Sequence, residues 1–197
     1  MNHQSSQAEY RSPRALKLIE ANPLQRVELS GPQKGEAMDL IIKSVMQGMD
    51  LNSRLYAGAL EGLTREQLNR RCGPDSSPLV WIAGHLVSSR YGMAGLAGIS
   101  MEVQWQDLFK RYSQIVEPDA YPDIEQIKNS FGEIGGRLTE RLGQITDEEL
   151  DASSPRDFPV ADKSVRGGLV FLAWHESYHV GQMGFLRKWL GYKSLVG

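Results

Sequence analysis

Two imidazoles four residues apart stand in the run His175-Glu176-Ser177-Tyr178-His179. On a helix that spacing puts both side chains on one face, about a turn from each other, where both can grip a single metal ion. The chemistry indicated is that of a bound divalent cation.

The same run matches the His-Glu-x-x-His pattern of zinc peptidases, in which the glutamate is the general base. Those enzymes take a third ligand from a later element, and the segment from Val180 to Gly197 contains no His, Asp or Glu. The peptidase reading lacks its ligand. Glu176-Ser177-Tyr178-His179 is also the Glu-x-x-His motif of di-iron bundles, which need a second copy. Three residues before His85, where that copy would carry its acid, stands Ile82. A mononuclear site is the expectation.

A third ligand is indicated upstream by an internal repeat. Leu79-Val80-Trp81-Ile82-Ala83-Gly84-His85 aligns with Leu169-Val170-Phe171-Leu172-Ala173-Trp174-His175, with four identities and two conservative changes. Ahead of each copy lies a second matching pair, Leu63-Thr64-Arg65-Glu66-Gln67-Leu68 and Ile145-Thr146-Asp147-Glu148-Glu149-Leu150. The offsets of 90 and 82 residues differ by a loop insertion, as expected of a duplicated helix–loop–helix unit. A pseudo-twofold between the copies would set His85 opposite His175. Three imidazoles together in a dry interior are hard to satisfy without a metal, since a neutral ring offers one donor and one acceptor.

Glu176 projects about 100° around the helix from His175 and about 60° from His179. It is the candidate proton acceptor, placed to hydrogen-bond a metal-bound water or a ligand imidazole, or else to pair with a basic residue at the bundle edge. Gln182, three beyond His179, is a candidate partner for that ligand, with packing as the alternative. Trp174 and Tyr178 read as core or pocket wall, and His3 as an exposed residue of a polar tail.

Four long helices are needed to carry these groups. Met38, Ile41, Ile42, Val45, Met49, Leu55, Tyr56, Ala59 and Leu60 form a helical stripe over 36–60. Ser77-Pro78 starts a second helix that runs to about Gly98 and carries His85. Pro122 opens a third, with Ile124, Ile127, Phe131, Ile134, Leu138, Leu142 and Ile145 stepping by threes and fours. Ser164 caps a fourth, over about 165–190, on which Leu172, His175, His179 and Leu186 share a face. Thr64 and Thr146 each open a capping box before a histidine helix. A long connector, 99–121, joins the second and third helices, and Trp105, Phe109 and Tyr112 suggest that it packs. The fold expected is all-α, a four-helix bundle over 36–197 with a pseudo-twofold repeat and ligand sites between facing helices. Residues 1–35 read as a polar N-terminal tail with one short helix capped by Ser12-Pro13.

With 41% hydrophobic and 23% charged residues, the 197-residue chain has the composition of one soluble globular domain. A net charge of -2 without a basic cluster argues against nucleic acid and anionic membranes as partners. No apolar run is long enough to span a bilayer, and Met1-Asn2-His3-Gln4-Ser5 lacks the features of a signal peptide. One cysteine, Cys72, excludes an intrachain disulfide and fits a reducing cytoplasm.

With Gly84-His85-Leu86 upstream and His175-Glu176-Ser177-Tyr178-His179-Val180-Gly181-Gln182 downstream, the chain resembles the DinB/YfiT-like superfamily over about 35–192. The resemblance implies a bundle with a pseudo-twofold, one divalent metal held by His85, His175 and His179, and a homodimer. Zinc or nickel is the expected ion, with iron or manganese as further candidates. The resemblance further implies a metal-dependent enzyme that activates a low-molecular-weight thiol or water against a small electrophile, an S-transferase or a hydrolase. The competing expectations are a non-catalytic, metal-binding, stress-related dimer and, more remotely, a zincin-like peptidase.

Overall fold

The computed structural model describes residues 34–102 and 104–196, with side chains from residue 40 onward. The expected N-terminal tail, its short helix and His3 lie outside these residues. Four long helices, α1 (Lys34–Leu60), α3 (Leu79–Leu96), α5 (Ile124–Leu142) and α7 (Val165–Trp189), make the bundle. Short helices α2 (Arg65–Asn69) and α6 (Asp147–Asp151) precede α3 and α7, and α4 (Gln106–Phe109) lies in the connector. The order long helix, short helix, histidine helix thus occurs twice. Among the described residues there is no strand, only an isolated bridge between Ser153 and Ser164. No described helix is long and apolar enough to cross a membrane.

Local chemistry accounts for the helix starts. The Thr64 hydroxyl accepts from the Gln67 amide at 3.2 Å, and the Gln67 side chain accepts from the Thr64 amide at 3.0 Å. Thr146 and Glu149 repeat the arrangement at 3.3 and 2.8 Å. Both capping boxes satisfy amides that a helix start leaves without intrahelical partners. The Ser164 hydroxyl accepts from the Gly167 amide at 3.2 Å and opens α7. In α5 the cap is Asp123, one residue past Pro122, with Gln126 closing its box. That helix ends at Leu142, so Ile145, the last residue of the predicted stripe, packs on the core from the loop beyond.

The stripes bury where the spacing places them: Ile42, Val45, Met49 and Tyr56 on α1, and Ile127, Phe131, Ile134, Leu138 and Leu142 on α5. One helix departs from the one-sided stripe that the sequence shows in the others. Buried residues lie on every side of α3, because α5 and α7 pack against it and the connector, through α4, covers the rest. A helix that is apolar all round is a central one. The connector is anchored by Phe109, which is fully buried, whereas Tyr112 is exposed. Ile41 and the surface residue Trp174 also stand outside the core.

Candidate metal centre

His85 lies in the middle of α3, with its ring stacked on Trp81 one turn earlier at 4.8 Å. Its Nδ1 donates to the Phe109 carbonyl at 2.7 Å. A carbonyl can only accept, so the proton sits on Nδ1 and Nε2 keeps a bare lone pair. On α7, His179 makes an equivalent contact through Nδ1 with the Gln182 side-chain oxygen at 2.7 Å, while the Gln182 amide donates to the Tyr178 hydroxyl at 3.2 Å. His175 turns Nδ1 toward the Ser89 hydroxyl of α3 at 3.4 Å.

The three rings face one another. Centroids lie 4.4 Å apart for His175 and His179, 4.8 Å for His85 and His179, and 5.3 Å for His85 and His175. The two Nε2 atoms on α7 approach to 3.1 Å. Burial, followed by repulsion from His179, His85 and Arg111, pushes His175 down to about 4; burial and His85 push His179 to about 4 despite the Gln182 hydrogen bond. Burial also lowers His85, opposed by its bond to the Phe109 carbonyl. All three imidazoles are neutral at pH 7.

This donor set fits a metal ion. His85 and His179 present lone pairs at Nε2, and at most one proton, on His175, can lie between the converging rings. One nitrogen from each ring falls within 4.8 Å of the others, so the three histidines could hold an ion. Two nitrogens bound to one tetrahedral ion at about 2.0–2.1 Å stand about 3.3–3.4 Å apart, so the widest pair has at most about 1.5 Å to close.

A family model for the DinB superfamily matches residues 49–183, a span that contains all three histidines. The chain belongs to the DinB superfamily. Its fold is similar to the solved structure of YfiT from Bacillus subtilis, described as a probable metal-dependent hydrolase with an unusual four-helix bundle topology. That likeness has a TM-score of 0.54 at 17% identity and covers 85% of this chain and 93% of YfiT. No curated protein matches the chain.

In this DinB-superfamily bundle Glu176 does not stand where a proton acceptor should. It is fully buried, and both of its oxygens are taken by Arg90, from Nε at 2.8 Å and from Nη2 at 3.0 Å. Of the roles left open by the sequence, pairing with a basic residue is the one observed, though in the interior rather than at the bundle edge. Of Trp174 and Tyr178, expected as core or pocket wall, Trp174 lines a surface pocket with Leu40, Ile41 and Val170, and neither is core: they are 61% and 53% exposed. Their positions on α7 turn them away from the packed face.

Sequence reasoning missed Ser89, Arg90 and the Phe109 carbonyl. Arg90 had a signal. It is the one charge in α3, and Glu176 is the one acidic residue in α7. Lone opposite charges in two helices that share a core invite pairing. The Phe109 contact is made by backbone, which carries no mark in the sequence.

Proposed function

We propose that His85, His175 and His179 hold one divalent ion, zinc or nickel, and that the protein is a metal-dependent enzyme acting on a small electrophile. The observation that carries this reading is the set of three neutral imidazoles, two of them tied at Nδ1 with Nε2 left unprotonated. Neutral nitrogen donors suit zinc and nickel better than magnesium or calcium. Such an ion would supply Lewis acidity to a nucleophile, since neutral ligands leave it its full charge. The chain's part is to orient the rings: the Phe109 carbonyl and Gln182 fix two tautomers, and Trp81 holds the plane of His85.

The engagement of Glu176 by Arg90 bears on the nucleophile. A bound ion would lower the pKa of a water from 15.7 to about 7, and a thiol starts near 8.5, so with Glu176 engaged either nucleophile would rely on the ion rather than on that carboxylate. A low-molecular-weight thiol or water is the nucleophile, making the reaction an S-transfer or a hydrolysis. A peptidase reading loses the base that its pattern assigns to Glu176. Elemental analysis of protein purified without added metal should give one equivalent of ion, lost in His85→Ala. Retention of full stoichiometry in that variant refutes the site. Chelator-sensitive turnover of an epoxide or chlorinated electrophile, with thiol or with water, is the expected activity; no metal-dependent turnover with either removes the enzymatic reading.

The protein is further proposed to work as a homodimer, paired through α1 and α7. Of the large apolar side chains exposed among the described residues, Leu40, Ile41, Leu51, Val170, Trp174, Tyr178 and Phe185 all lie on these two helices. Half-exposed aromatic side chains offer on the order of 100 Å² each. The seven residues together approach the roughly 800 Å² per partner of a standard interface. Sedimentation should give a dimer for the wild type and a monomer for Trp174→Asp; a wild-type monomer at micromolar concentration refutes it. The single thiol, Cys72, exposed and free, supports placing the protein in the reducing cytoplasm.

A further inference from the structure

Arg90 is the only residue of α3 whose side chain bonds to all three other long helices. It reaches the Met49 carbonyl at 3.2 Å and the Ser53 hydroxyl at 2.8 Å on α1, the Phe131 carbonyl at 3.2 Å on α5, and Glu176 on α7. Its guanidinium lies 3.5 Å from the centre of the Phe131 ring. On α5 the backbone is cleared for it: a Cβ at Gly135 would stand 2.3 Å from Nη1. Arg90 and Glu176 are 1% and 0% exposed.

Stability alone is a poor reason for such a pair, because apolar residues of matched volume commonly do as well in a core. Geometry is a better one. A guanidinium bound to a carboxylate through two parallel bonds fixes direction as well as distance. Both of its halves also adjoin His175: Glu176 follows it in α7, and Ser89, whose hydroxyl faces its Nδ1 at 3.4 Å, precedes Arg90 in α3. The tolerance at the site is small. A side chain about 6 Å from its helix axis moves about 1 Å for a 10° rotation, several times the 0.2 Å that metal–ligand distances allow.

We propose that the buried Arg90–Glu176 fork is the positioning element of the metal centre, setting the rotation and height of α3 against α7 and so the approach of His85 to His175 and His179. The inference rests on the tri-histidine reading. In this arrangement the acid of the pentapeptide acts through the helices and touches no substrate. Removing the fork while keeping the core packed should therefore loosen the site without unfolding the bundle.

Cobalt(II) is the probe, titrated into the full chain and followed by its visible absorption. Arg90→Met combined with Glu176→Met fills the space with apolar atoms; Arg90→Lys keeps the charge and removes the fork. Both variants should retain helical circular dichroism, bind cobalt between 10- and 100-fold more weakly and show a shifted spectrum. Leu138→Ala, a cavity where α5 packs with Leu142, Leu150 and Leu169, should lower the melting temperature and leave affinity within twofold. Should the apolar pair fail to fold, Arg90→Lys decides alone. Affinity and spectrum unchanged in the folded variants overturn the inference, as does a loss in Leu138→Ala equal to theirs. Failure of the wild type to bind cobalt, or binding independent of His85, overturns instead the tri-histidine reading beneath it.

Discussion

Gly84→Ala adds one methyl group directly behind a histidine of the site, and the structure says where it goes. The new Cβ would stand 2.3, 2.4 and 2.5 Å from Cζ, Cε1 and Cδ1 of Phe109. Ordinary carbon contacts need about 3.5–4.0 Å, so the ring must retreat by about 1 Å or more. It has little room. Phe109 is fully buried, stacked on Tyr121 at 5.7 Å and set against the edge of Trp105 at 6.5 Å. The displacement therefore passes to the backbone of α4, whose Phe109 carbonyl accepts from His85 Nδ1 at 2.7 Å. Lengthened by about 1 Å, that contact leaves the 2.7–3.2 Å range of an N–H···O bond.

Two magnitudes follow. Overpacking should cost about 1–3 kcal/mol, or roughly 3–10 °C of melting temperature for a chain of this size. Loss of the partner that orients His85 should weaken metal binding about 10- to 100-fold. Thermal unfolding of metal-free protein measures the first and cobalt titration the second. Adding Phe109→Leu to Gly84→Ala makes room for the methyl and should recover most of both, since the carbonyl can return. Wild-type affinity in the single variant would refute the link from Gly84 through Phe109 to His85. Equal losses in the single and double variants would show that the ring is not the transmitter.

With His175 and His179 held at about 4 against an ordinary 6.5, the unfolded chain takes up protons before the folded one as pH falls. Stability of metal-free protein should drop between about pH 6.5 and 4, by urea unfolding, and that share of the slope should vanish in His175→Ala/His179→Ala. Over the same range, cobalt affinity should stay nearly flat from pH 8 to about 5 and fall below; a decline centred near 6.5 would contradict the depressed values. Gln182→Ala removes the acceptor on His179 Nδ1 and should weaken cobalt binding about tenfold or more, while Gln182→Glu should restore or tighten it, by titration. Thr146→Ala breaks a capping box far from the histidines and should cost about 0.5–2 kcal/mol in urea unfolding with unchanged metal affinity.

What the sequence discloses follows the range of the forces involved. N-caps are local chemistry, so Thr64, Thr146 and Ser164 are readable from residue type and spacing. His175 and His179 are readable through helical periodicity, and His85 through the repeat. Contacts made across the bundle are another matter. Arg90, which reaches Glu176 across the core from α3, is marked only by being the one charge of its helix, and Phe109 contributes a carbonyl that any residue would possess. The repeat itself misleads at one position. Gly84 and Trp174 align, yet Gly84 lies under Phe109 of the connector and Trp174 is on the surface, because the connector packs on α3.

Successive residues of the pentapeptide divide their work by helical geometry. A step of about 100° per residue sends His175 toward the other two rings and Glu176 into the middle of the bundle, where Arg90 meets it. The pattern that in a zinc peptidase joins ligand and base on one helix would, in the proposed site, be split between ligand and strut. The deciding difference would be the origin of the third ligand. A histidine arriving from α3 brings that helix against α7, and with it the one positive charge of α3, which claims the carboxylate. Once both oxygens are held within 3.0 Å of a guanidinium, moving Glu176 to the histidines would leave Arg90 unpaired in an apolar core, at a cost of several kcal/mol. Its role is thus set by the packing of the helices before any substrate arrives.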